Sequence, residues 1–148
     1  MSYLRLKELA RFGDVVVNFI ASAALTLSTG SPQGIRVPNR ILRDVALKKG
    51  LRRIGDNLPE DLYEAIIGYA WLKGFSSDKM IRIVHSAIKG SEKSDIILKR
   101  GLSTLLDELL KENWVTELLG TYTNVNGILK EKRTLLRKLK HWIKGFNR

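Results

Sequence analysis

The chain has 148 residues, 44% of them hydrophobic, and carries a formal net charge of +11 with a pI near 10.1. That length and composition exclude a disordered chain and two large domains, and the lack of cysteine excludes disulfides and thiolate metal sites. A positive surplus of this size attracts RNA, DNA or an acidic membrane face, with nucleic acid the favoured partner class.

Residues 3–28 read as one helix, because apolar residues recur at Leu4, Leu9, Phe12, Val16, Phe19, Ile20, Ala23, Ala24 and Leu27 near the helical period. The β-branched run Val15-Val16-Val17 pulls toward strand. The apolar stretch from Val15 to Leu27 is interrupted by Asn18 and Ser22 and is too short to span a bilayer. Met1 to Arg11 shows no signal-peptide pattern, so a soluble cytoplasmic protein is expected. Gly30, Pro32, Gly34 and Pro38 punctuate a loop over 28–38. Asn39 then caps a helix over 40–49 that Gly50 ends, and a short basic helix is expected over Leu51–Ile54.

Pro59, Glu60 and Asp61 suit the first turn of a helix that runs to about Leu72, with Gly74 as its stop. Ser77 opens another, to about Lys89. Residues 92–112 carry an apolar stripe of Ile96, Ile97, Leu102, Leu105, Leu106, Leu109 and Leu110. Trp114–Leu119 forms a helical turn or more, Asn124-Val125-Asn126-Gly127 a turn, and Ile128–Lys144 a last amphipathic helix. No segment alternates strictly, so an all-α fold is expected. Gly90-Ser91 marks a seam between a core over 1–90 and a basic helical extension over 91–148 that packs on it as one compact domain.

Acidic residues set into apolar helices of so basic a chain need a reason. Asp61 and Glu64 are three residues apart and share a helix face. Asp14 lies beside Gly13 on another helix, and Gly68 follows Glu64 by one turn. Glycine inside a helix costs roughly 1 kcal/mol relative to alanine and is tolerated where another backbone comes close. Helices touching near Gly13 and Gly68 would bring Asp14 against Asp61 and Glu64, and such carboxylates need a proton or a divalent cation between them. All-oxygen ligands suit Mg²⁺ or Mn²⁺. On spacing alone a plainer account stands beside this one: Asp61 caps a helix, Glu64 pairs with a base, and Asp14 is a solvated charge.

The residues around these acids carry a resemblance. Asp61 followed by Glu64-Ala65-Ile66-Ile67-Gly68-Tyr69-Ala70-Trp71-Leu72 resembles the second catalytic segment of the ribonuclease III family, D-x-x-E-A-L-I-G-A-x-Y-L. Leu9-Ala10-Arg11-Phe12-Gly13-Asp14-Val15-Val16 is similar to the signature helix with its F-L-G-D-A-V core. Between them, the stretch from Asn39 to Leu51 is similar to the family's N-x-x-L-A-x-x-A-x-x-L-G-L. The resemblance covers about residues 4–90 and is closest in style to compact forms such as mini-ribonuclease III. It implies a helical endonuclease domain and a homodimeric, Mg²⁺-dependent endoribonuclease acting on double-stranded or structured RNA. Ribosomal RNA precursors are one such substrate. By matching position it implies Asp14, Asp61 and Glu64 as catalytic metal ligands. The family's usual glutamate four residues before the signature aspartate is Ala10 here. The alternative is a non-catalytic RNA-binding protein that retains the fold.

Arg36, Arg40 and Arg43 surround the segment after the signature helix, and Lys48, Lys49, Arg52 and Arg53 continue the basic stretch. Lys130, Arg133 and Arg137 stand on the basic face of the last helix. These are the candidate RNA contacts. An anionic membrane is the rival target of that helix, and the nuclease-like segments favour RNA.

Overall fold

A computed structural model describes residues 5–88, 93–125, 137–142 and 144–145. Six helices follow in order: α1 (Leu6–Thr29), α2 (Asn39–Lys48), α3 (Pro59–Leu72), α4 (Ser77–Ala87), α5 (Ser94–Leu110) and α6 (Asn113–Val125). Residues 137–142 add a helical turn. No strand occurs among the described residues, so the fold is all-α as expected. Leu4, the Gly90-Ser91 seam, Asn126-Gly127 and residues 128–136 lie outside the described residues.

Helix α3 is the centre. Leu62, Tyr63, Ala65, Ile66, Ile67 and Ala70 are all fully buried, which takes up nearly its whole circumference. Pro59 occupies its first turn, and the left-handed Gly74 (φ 93°) follows its end. Helices α1, α2 and α5 pack around it, and α4 bridges α1 and α5. Helix α5 buries Leu102, Leu105, Leu106 and Leu109 in the same core, and the buried Tyr63 hydroxyl donates to the Leu102 carbonyl at 2.8 Å. Three ion pairs tie α2 and the residue after it to α5: Arg40–Asp95 at 2.7 Å, Asp44–Lys99 at 2.9 Å and Lys49–Asp107 at 2.6 Å.

Helix α1 is long and apolar enough to cross a membrane by length and composition, more so than the interrupted run from Val15 to Leu27 implies. Its interruptions have work in the fold. Asn18, Ser22 and Thr26 recur every four residues and form a polar stripe. They accept the backbone N–H groups of Val37 (2.8 Å), Ile35 (2.9 Å) and Gln33 (2.9 Å), which pins the loop along α1. Leu9, Val16, Val17, Ile20 and Ala24 are buried against the bundle, whereas Phe12, Phe19 and Leu27 of the expected apolar stripe face outward.

Two local expectations are corrected. Leu51–Ile54 is not a helix: Leu51 is buried, and Ile54 pairs with Asn57 in a tight turn through Gly55 (φ 58°). Asn124 and Val125 are not in a turn, because α6 continues through them.

Candidate functional site

Gly13 and Gly68 set the crossing of α1 and α3. A Cβ on Gly13 would overlap the Glu64 backbone carbonyl, and one on Gly68 would stand 2.8 Å from the Leu9 carbonyl oxygen. Only glycine allows this approach, and it brings Asp14, the next residue on α1, against Glu64.

Glu64 is 7% exposed, and no lysine or arginine pairs with it among the described residues. Its neighbours are acids. Burial first, then the charges of Asp14 and Asp61, the side-chain contact with Asp14 and the charge of Glu60 push its carboxyl up to about 8. At neutral pH the metal-free pair therefore keeps a proton on Glu64. Asp14 is half-buried and is oriented by Asn18, whose Nδ2 donates to Asp14 Oδ1 at 3.2 Å. The same Asn18 amide accepts from the Val37 N–H, so the loop after α1 fixes the residue that fixes Asp14. Sequence reasoning passed over Asn18, although its place one helical turn beyond Asp14 is a usable signal.

Asp61 takes a different part. It is the third residue of α3, and its Oδ2 accepts the Leu58 N–H at 2.8 Å, closing the helix start. Among the described residues no three His, Cys, Asp or Glu side chains converge closely enough to hold a metal ion. Asp14 and Glu64 thus stand as a facing pair, and Asp61, expected as a third ligand, caps the helix start beside them with its charge still acting on Glu64. The reason is the position of Asp61 in the first turn, where free N–H groups draw its carboxylate. The pair still suits a small hard cation. Mg²⁺ is commonly bound through one or two carboxylates, with water and substrate phosphate completing its shell. Two uncompensated carboxyls, one of them buried, make that donor set. Ala10, where the family pattern has a further carboxylate, is buried and supplies no ligand.

Arg43 is also corrected as a free phosphate contact. Its Nε and Nη2 donate to the two oxygens of Glu60 at 3.0 and 2.7 Å, a fork that holds the buried Glu60 below the usual carboxylate range. Arg40 pairs with Asp95 in the open, a contact worth little, so phosphate could displace it. Arg36 is exposed, makes no ion pair among the described residues, and sits on the loop that Asn18 holds. Arg137 is exposed on the helical turn at 137–142, while Lys130 and Arg133 lie outside the described residues.

An all-helical domain with a buried glutamate facing a half-buried aspartate between its two most closely packed helices is the class that fold and site define. The family model described as ribonuclease III matches residues 7–115, and the chain belongs to the ribonuclease III family. The match runs past residue 90, through α5 and into α6. No curated protein matches the chain.

Proposed function

We propose that this protein is a divalent-metal-dependent endoribonuclease that cleaves double-stranded or structured RNA. The observation that carries the reading is the buried Glu64 facing Asp14 with no base to neutralise either among the described residues, in a chain of the ribonuclease III family. Bound Mg²⁺ or Mn²⁺ supplies charge stabilisation and lowers the pKa of water, the chemistry phosphodiester hydrolysis needs at neutral pH. Asp14 and Glu64 would hold it. Asn18 orients Asp14, and the Asp61 cap with the Arg43–Glu60 fork fixes the first turns of α3 from which Glu64 projects. Arg36 and Arg40 would seat the RNA backbone.

The test is cleavage of double-stranded RNA in Mg²⁺, in Mn²⁺ and in EDTA, with Asp14→Asn beside the parent. Cleavage confined to the parent with metal is the expected result. Cleavage in EDTA, or by Asp14→Asn at the parent rate, sinks the assignment. Binding without cleavage in either metal would instead favour a non-catalytic RNA-binding protein, the reading that Ala10 and the lack of a third converging ligand support.

A homodimer is part of this proposal. Val15 and Phe19 are 66% and 55% exposed, Phe12 meets the exposed Trp71 edge-on at 5.4 Å, and these side chains share one face of α1 and α3. A cavity of about 540 Å³ between α1 and α4 continues the face past Phe19 and Leu27. An apolar projection beside a groove fits a second copy related by a two-fold axis, and a symmetric dimer would present one site to each strand. Phe19→Asp should convert a dimer to a monomer in sedimentation velocity. A parent that is monomeric at micromolar concentration would refute this.

A further inference from the structure

A second feature lies away from the carboxylate pair. The helical turn at 137–142 packs back on the end of α2: Leu139 is buried, and the Trp142 ring lies 5.6 Å from the Lys49 ammonium, which also binds Asp107 at 2.6 Å. Between the two segments is a cavity of about 400 Å³, lined by Lys48, Arg137, Lys138, His141 and Trp142 and, among the described residues, by no acid. With Lys49 neutralised by Asp107, the open charges are those of Lys48, Arg137 and Lys138, none of them in an ion pair among the described residues. The negative end of α2 would oppose an anion here, but Arg52 donates to the Leu47 carbonyl at 3.1 Å and offsets it.

Three cations and an indole around a cavity of nucleotide size match the chemistry that recognises an unpaired nucleotide: phosphate on the cations, base on the aromatic ring. A paired base is stacked inside its duplex and could not enter. We propose that this cleft is a second RNA site that takes one unpaired nucleotide flanking the duplex, with its phosphate at Lys48, Arg137 and Lys138 and its base at Trp142. The proposal rests on RNA being the substrate. It gives the protein a preference for duplex with a single-stranded flank over blunt duplex.

The test uses the full chain in EDTA and fluorescence anisotropy with two RNAs, a blunt duplex and the same duplex with a uridine overhang. The parent should bind the overhang duplex more tightly. Trp142→Ala should weaken only that complex, by about five- to a hundredfold, the usual range for one stacked base. Trp142→Phe, which keeps the packing and a ring, should retain most of the preference. Removing Lys48 and Lys138 together should lower the salt dependence of the overhang complex by close to two counterions. Equal binding of both RNAs by the parent, or an unchanged preference in Trp142→Ala, overturns the proposal while leaving the duplex nuclease reading intact. Failure of the parent to bind either RNA removes both. Binding to phosphatidylserine vesicles that is lost in Trp142→Ala, with overhang binding unaffected, assigns the cleft to a membrane and also overturns it.

Discussion

Gly13→Ala should weaken the packing of α1 on α3 and lower the stability of the fold markedly. Two effects of one methyl group oppose each other. Alanine favours the helix by about 1 kcal/mol over glycine. The new Cβ, however, would occupy the space of the Glu64 backbone carbonyl, and backbone cannot rotate away as a flexible side chain can. Separating α1 from α3 also exposes core contacts of Val17, Ile20 and Ile67, so the net cost should reach or exceed the upper part of the about 1–3 kcal/mol range for overpacking. Tm should fall on the order of 10 °C. Gly34→Ala is the control, since nothing lies within 4 Å of its added Cβ, and it should change stability by no more than about 0.5 kcal/mol. Thermal unfolding followed by circular dichroism reads both. A Gly13→Ala protein as stable as the parent would show that the helices do not meet as closely as described.

That contact was legible in the sequence because a glycine inside an apolar helical run weakens the helix, and a close backbone approach is what offsets the loss. The pairing of Asp14 with Glu64 followed from it. For Asp61 the sequence left two readings, a helix cap and a ligand: an acid at the third position after a helix start is placed to cap, and D-x-x-E spacing cannot say which acid turns inward. Periodicity also could not separate the two apolar faces of α1. Val17 and Ile20 bury against this chain, while Phe12 and Phe19 do not, and an exposed apolar residue has the same hydropathy as one in the core. The Arg43–Glu60 fork joins positions 17 apart, with a turn between them that the sequence disguised as a helix. Arg43 therefore read as one more open cation. Asn18 and Ser22 looked like defects in an apolar run until the loop that they and Thr26 hold was visible.

Glu64→Gln should sharply reduce cleavage and, without metal, stabilise the fold above neutral pH. The two outcomes have one cause. Glu64 is buried beside Asp14 with no counter-charge among the described residues, so its carboxyl binds a proton more tightly folded than unfolded, with a value near 8 against an ordinary 4.5. The native state then holds more protons than the unfolded state between those values, and stability falls as pH rises through that window. The loss begins above about 4.5 and is complete above about 8, where it should amount to a few kcal/mol in order of magnitude. A glutamine does not titrate, and its amide can donate to Asp14. Urea unfolding of the metal-free variant should therefore lack this component of the pH dependence, and at pH 9 the variant should be the more stable protein. Mg²⁺ binding only the folded parent should raise its Tm at that pH and leave the variant unmoved. Cleavage should fall on the order of 10²-fold or more, the scale of one preorganised charged group. A variant that kept the parent's pH slope and its thermal response to Mg²⁺ would break the link between the buried carboxylate pair and the metal. The same repulsion that weakens the metal-free fold would draw a cation to the pair, so a substitution that relieves it should gain stability by giving up the proposed site.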